Sequence, residues 1–181
     1  GGYMNSIRTA LFVPGSRSER FAKAIASGAD RVIVDFEDAV EPGLKAQARD
    51  NLADYLHAAD FSNVMVSINA QDTQYHAEDI RFCREHPQLK GVVIPKAESA
   101  AQLESVSSLG LSVWPLIESA QGLIGCSAIA AAAGVERLTF GALDLGYSLG
   151  VDPSDPVINL IFDQVRYSLL ISSAANNLAA P

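Results

Sequence analysis

Arg31-Val32-Ile33-Val34-Asp35-Phe36-Glu37-Asp38 is a short apolar run that ends in carboxylates, and it sets the reading of the whole chain. The same unit recurs. Val113-Trp114-Pro115-Leu116-Ile117 runs into Glu118, and Leu138-Thr139-Phe140-Gly141-Ala142-Leu143 runs into Asp144. Continuous apolar runs, rather than alternating ones, mark strands buried on both faces. Carboxylates at the exits of several such strands converge at one end of a parallel sheet, where α/β proteins place their chemistry. The pattern therefore points to a divalent-metal site.

Working outward, strand-like segments are expected near residues 7–13, 31–36, 63–68, 90–94, 112–117 and 137–142. Helical patterns are expected at 17–28, 43–58, 77–85, 98–108, 120–134 and about 156–178. Ala128-Ile129-Ala130-Ala131-Ala132-Ala133 has high helix propensity, and Gly134 supplies a stop. Ser18-Glu19 and Glu41-Pro42 read as helix starts. Strict β-then-α alternation means a parallel sheet with crossover helices. Gly1-Gly2-Tyr3 ahead of Met4 reads as an expression scar, so residues 1–5 are set aside as a tail. Residues 6–181 are expected to form one domain, since no linker or second composition regime appears.

Two architectures fit this alternation. A doubly wound open sheet suits the 181 residues. A (β/α)8 barrel needs about 250 residues, and only six βα units are visible, so the barrel requires a chain that stops after its sixth helix. Pattern alone leaves both open.

Composition excludes several function classes. The chain is 49% hydrophobic with mean hydropathy +0.16, enough for a substantial core. A formal charge of −8 and a pI near 4.7 argue against nucleic-acid binding, which needs clustered Lys and Arg. No apolar run approaches the roughly 20 residues of a membrane span, and no secretory signal is visible in these residues. A cytoplasmic location is the expectation. Cys83 and Cys126 have no CxxC spacing and read as reduced thiols, buried or half-buried. His57, His76 and His86 lack ligand spacing and read as surface histidines, so zinc and serine-hydrolase chemistry have little support.

The candidate site is built from the strand exits. A hard cation such as Mg2+ takes oxygen ligands and keeps several waters, so one or two carboxylates suffice. Glu118 and Asp144 end consecutive expected strands and suit a shared metal; Glu37 and Asp38 could hold its waters or orient ligands. The alternative is that each acid only caps a helix or lies in solvent. Gly15-Ser16-Arg17-Ser18-Glu19-Arg20 follows the first strand and opens a helix, an arrangement suited to an anion with Arg17 as charged partner, or simply a βα turn. Lys45 and Arg49, spaced i,i+4, either contact phosphates or form a solvated helix face. Lys96 reads as charge balance for the acidic mouth rather than a Schiff-base lysine.

These residues also resemble a known family. Leu11-Phe12-Val13-Pro14-Gly15-Ser16-Arg17-Ser18-Glu19-Arg20-Phe21 and Asp35-Phe36-Glu37-Asp38-Ala39-Val40 are similar to the start of the citrate lyase β-subunit-like proteins of the HpcH/HpaI aldolase superfamily. Val93-Ile94-Pro95-Lys96-Ala97-Glu98, Leu116-Ile117-Glu118-Ser119-Ala120 and Phe140-Gly141-Ala142-Leu143-Asp144-Leu145 continue it in order, from Arg8 nearly to the end. The resemblance implies the TIM barrel, here with about its first six βα units, in a homotrimer or hexamer. It implies Glu118 and Asp144 as Mg2+ ligands, Glu37 and Asp38 as supporting acids, and Arg17 near the substrate or coenzyme A. The implied reaction is cleavage of a 3-hydroxyacyl-CoA (citryl-, citramalyl- or malyl-CoA) to acetyl-CoA and a 2-oxo acid. A thioesterase, a CoA-independent 2-oxo-acid aldolase and a non-catalytic CoA-binding paralogue are the alternatives. One departure stands out. The family usually has Val-Arg-Ile-Asn after the third strand, with the arginine clamping the substrate carboxylate. Here the run is Val66-Ser67-Ile68-Asn69, and serine cannot supply a bidentate charged clamp.

Overall fold

The computed structural model describes residue 7, residues 9–58 and residues 63–181. The expected tail at residues 1–5, and Arg8 where the resemblance begins, lie outside the described residues. The chain divides into two compact units, residues 1–93 and 94–181.

In the first unit, β1 (Ala10–Pro14), β2 (Arg31–Asp35) and β3 (Val64–Ser67) pair in parallel and in chain order. Val66 and Ser67 then pair with Val92 and Val93 of β4 (Val92–Ile94). Between them run α1 (Phe21–Ala26), α2 (Lys45–Ala58) and α3 (His76–Glu85). Short 3-10 turns at Ser18–Arg20 and Pro42–Leu44 lead into α1 and α2, and Pro42 takes the first position, where its missing N–H costs nothing. Val32, Ile33, Val34, Val64, Met65 and Val66 are all buried, as two-sided strands require. β1 departs from the expected buried run. Leu11 and Phe12 are 40% and 49% exposed, and its described pairing is with β2 alone.

In the second unit, β5 (Val113–Ile117) and β6 (Thr139–Phe140) pair in parallel, Leu116 with Thr139 and Ile117 with Phe140. α4 (Glu104–Ser107) precedes β5, α5 (Ala120–Ala130) joins β5 to β6, and α6 (Ala142–Ser148) and α7 (Val157–Ala175) follow β6. Several boundaries differ from the sequence expectation: the helix expected at 98–108 is a 3-10 turn at Ala100–Leu103 followed by α4, and α7 ends at Ala175 rather than near 178. The Ala-rich helix ends at Ala130 rather than at Gly134. Ala132 N–H turns back to Ile129 O, and Gly134 at φ +81° then redirects the chain toward a bridge between Val135 and Val113. β6 is only two residues long, because Gly141 donates to Ile117 O and its own carbonyl already accepts Leu145 N–H of α6. α6 itself was not expected.

Candidate functional site

The acidic loop after β2 is the first part of the site to follow from local structure. Asp35 closes β2 and is buried, and its carboxylate accepts N–H groups of Glu37 (3.0 Å) and Ala39 (2.9 Å). Lys45, the first residue of α2, donates from its ammonium to the carbonyls of Phe36 (2.9 Å) and Glu37 (2.6 Å). Asn69 Nδ2 donates to the same Phe36 carbonyl at 2.9 Å. The loop that presents Glu37 and Asp38 is therefore pinned by a carboxylate, an ammonium and an amide. Glu37 is half-buried and Asp38 exposed.

Lys45 is only 7% exposed and lies over the Tyr75 ring, 5.3 Å from its centroid. Burial lowers its pKa, against the opposing pull of Asp35, Glu37, Asp79 and Asp38. Arg49 is also drawn inward, with Nη1 3.0 Å from Asp79 Oδ1. The solvated-face alternative for this pair is thus corrected: both cations are used on groups inside the unit. Asp79, with no exposed surface, also accepts Asn69 N–H (2.8 Å) and Asn69 Nδ2 (2.7 Å). Sequence reasoning missed Asn69 and Asp79. The signal was present in α3, where Asp79, Phe82 and Cys83 share one buried stripe, so a carboxylate stands where an apolar residue belongs.

Arg17 extends into solvent, 58% exposed at its side chain and 3.7 Å from Glu19. Gly15 before it makes the turn possible: a Cβ there would stand 2.8 Å from Ala48 Cβ and 2.9 Å from Asp35 O. Ser67 is 1% exposed and lies in register with Asp35 on β2 and Val93 on β4. His57 is exposed as expected. His76 and His86 are half-buried, with Nδ1 against the Asn69 and Phe82 carbonyls. Cys83 and Cys126 are free and buried, and burial raises the Cys83 thiol to about 12.

In the second unit, Glu118 follows β5 directly and Asp144 stands in the first turn of α6, four residues beyond β6. Glu118 Oε2 accepts the backbone N–H of Lys96 at 2.7 Å. Its side chain lies over Gly141, where a Cβ would come 2.9 Å from Oε1 and 3.0 Å from Cγ. Asp144 is exposed at a helix N-terminus, a favourable place for negative charge. Among the described residues, no three His, Cys, Asp or Glu side chains form a metal-holding group. A carboxylate directly after β5, packed against Gly141, and a second in the first turn of the helix after β6 are oxygen donors of the kind a hard cation takes while filling its remaining positions with water.

The model of the HpcH/HpaI aldolase/citrate lyase family matches residues 8–180. The chain belongs to that family. A (3S)-malyl-CoA thioesterase of Cereibacter sphaeroides is 35% identical over 147 residues, 79% of this chain and 51% of that protein. An L-malyl-CoA/beta-methylmalyl-CoA lyase of the same species is 34% identical over 161 residues, 80% of this chain and 51% of the other. The chain thus spans about half the length of the curated relatives it matches. Among solved structures, CitE of Mycobacterium tuberculosis with magnesium and pyruvate superposes at TM-score 0.82 and 34% identity, covering 96% of this chain and 72% of that one. The same protein with magnesium, acetoacetate and coenzyme A gives 0.79 and 34%, covering 96% and 64%. An α/β fold of parallel strands, the family of lyases and thioesterases, and magnesium and CoA binding within the family are thereby established.

Proposed function

We infer that this chain carries the metal-binding part of a Mg2+-dependent carbon–carbon lyase. It would cleave a 3-hydroxyacyl-CoA of the citryl-, citramalyl- or malyl-CoA type to acetyl-CoA and a 2-oxo acid. The observation that carries the reading is the pair Glu118 and Asp144 after adjacent parallel strands, in a family of which CitE of Mycobacterium tuberculosis is solved in complex with magnesium and pyruvate. Bound Mg2+ would supply Lewis-acid charge stabilisation at the acid's oxygens. Glu118 and Asp144 would hold it, with Glu37 and Asp38 as supporting acids on their pinned loop. Arg17, Lys45 and Ser67 are assigned to the substrate side. Lys45 acts there through the loop carbonyls it already holds, because two of its N–H groups are spent on them.

The full (β/α)8 barrel, one domain over residues 6–181, a homotrimer or hexamer and a cytoplasmic location belong to the same proposal. High structural similarity to CitE supports the barrel. Two free buried thiols suit a reducing compartment, and exposed Leu160, Tyr167 and Ile171 on α7 suit further assembly.

A thioesterase is the second reading. It is favoured by the 35% identity to a malyl-CoA thioesterase and by Ser67, which replaces a charged clamp with one hydroxyl. A CoA-independent aldolase or a non-catalytic CoA-binding paralogue would keep the same fold.

The test is a screen of citryl-, citramalyl- and malyl-CoA with Mg2+ and with EDTA, on wild type, Glu118→Gln, Asp144→Asn and Ser67→Arg. The lyase releases acetyl-CoA and a 2-oxo acid, the thioesterase free CoA with no 2-oxo acid, and the paralogue binds CoA without turnover. Turnover that survives both EDTA and loss of the two carboxylates rejects the metal reading. Rates unchanged in Ser67→Arg reject the role given to the missing clamp.

A further inference from the structure

Lys96 is one of two non-glycine residues at positive φ among the described residues, at φ +52°. A left-handed backbone costs an L-residue about 1 kcal/mol or more, and it persists only where the surroundings impose it. Here they do. The residues after it are held from both sides: Ala97 N–H donates to Leu116 O on β5 at 3.1 Å, and Gln102 Oε1 accepts the N–H groups of Glu98 and Ser99. α5 then closes on this segment through two glycines. A Cβ on Gly122 would stand 2.5 Å from Ala97 O, and one on Gly125 would collide with Glu98 O. Ser119, the cap of α5, adds a hydrogen bond from its hydroxyl to Glu98 Oε1.

The product of all this constraint is one N–H, that of Lys96, aimed at Glu118 Oε2 from 2.7 Å. On the other side, the Glu118 side chain lies so close to Gly141 that a Cβ there would make it shift. We propose that the left-handed backbone of Lys96 and the bare Cα of Gly141 form a two-sided slot that fixes the orientation of the Glu118 carboxylate for a metal ion. Lys96 and Gly141 are positioning residues in this scheme. The contact that Lys96 makes with Glu118 in this scheme is that of its peptide N–H. The inference rests on the Mg2+ reading of Glu118 but assigns to the slot what the carboxylate alone does not provide.

The experiment titrates Mg2+ alone into the purified chain by calorimetry, with circular dichroism to confirm each fold. Positioning groups of this kind change metal affinity by about 10–100-fold. Gly141→Ala, which places a methyl against Oε1, is expected to weaken Mg2+ by about tenfold or more with the fold retained. Lys96→Gly keeps the N–H and adopts positive φ freely, so its affinity should stay within about threefold of wild type. Lys96→Val resists positive φ and should lose about tenfold. Lys96→Asn, which tolerates the left-handed region, should behave like Lys96→Gly; should Lys96→Val fail to fold, a loss of about tenfold in either of these two, which lack the ammonium but keep the backbone, overturns the backbone role. Gly141→Ala binding Mg2+ as wild type does, while Glu118→Gln does not bind, overturns the slot and leaves the metal site standing. Lys96→Gly as weak as Lys96→Val overturns the backbone role in favour of the ammonium. Glu118→Gln binding as wild type overturns the metal reading, and the slot with it.

Discussion

Arg49 places Nη1 3.0 Å from Oδ1 of Asp79, a carboxylate with no exposed surface that also receives both donors of Asn69. Removing one member of such a pair strands the other charge inside the unit. Asp79→Ala is expected to cost about 3–5 kcal/mol of unfolding free energy. Urea titration checks it, and a loss below about 1 kcal/mol would mean the pair is no stronger than a surface ion pair.

Lys45 ties the acidic loop to α2 through two carbonyls. Lys45→Met keeps the stem and removes both charge-assisted hydrogen bonds, which should cost about 1.5–3 kcal/mol. Hydrogen exchange at the Glu37 and Ala39 amides should accelerate more than exchange in β2. Uniform acceleration across the unit would show that the loop is not separately held.

Gly15 and Gly43 give opposite expectations. Gly15→Ala drives a methyl into Ala48 and the Asp35 carbonyl and should destabilise by about 1–3 kcal/mol. Gly43→Ala meets nothing within 4 Å and should be neutral or slightly stabilising, by up to about 1 kcal/mol. Thermal melts of the two variants side by side are the measurement.

Cys83 predicts a pH dependence. Burial, with a smaller contribution from Asp79, raises its thiol from 9.0 to about 12. The unfolded chain therefore gives up this proton first, and the stability that neutral Cys83 contributes is intact below pH 9 and lost on the way to 12. The slope from this group is about 1.4 kcal/mol per pH unit. Cys83→Ala should flatten that part of the profile, and native Cys83 should resist alkylation at pH 8.5.

The strands were legible because their apolar runs are unbroken, and β2, β3 and β5 fall within a residue of where Val32, Val64 and Val113 begin. β1 and β6 were less so: burial at Leu11 and Phe140 depends on neighbours that the local sequence does not name. Glu118 was visible as a strand-end acid, but the meaning of Gly141 was hidden, since its need is set by a side chain 23 residues away. Asp79 was hidden for a different reason. Helical periodicity marks which face is inward but cannot say that Arg49 and Asn69 wait there to satisfy a charge.

The trio Arg49, Asn69 and Asp79 has a consequence for descent. Asp79 is the member that both others depend on: its loss takes a partner from Arg49 and from Asn69 at once, whereas loss of either of those leaves Asp79 bonded to the other. Substitutions should accumulate freely on the outer surface of α2, while a change at Asp79 should come only after Arg49 and Asn69 have found other partners.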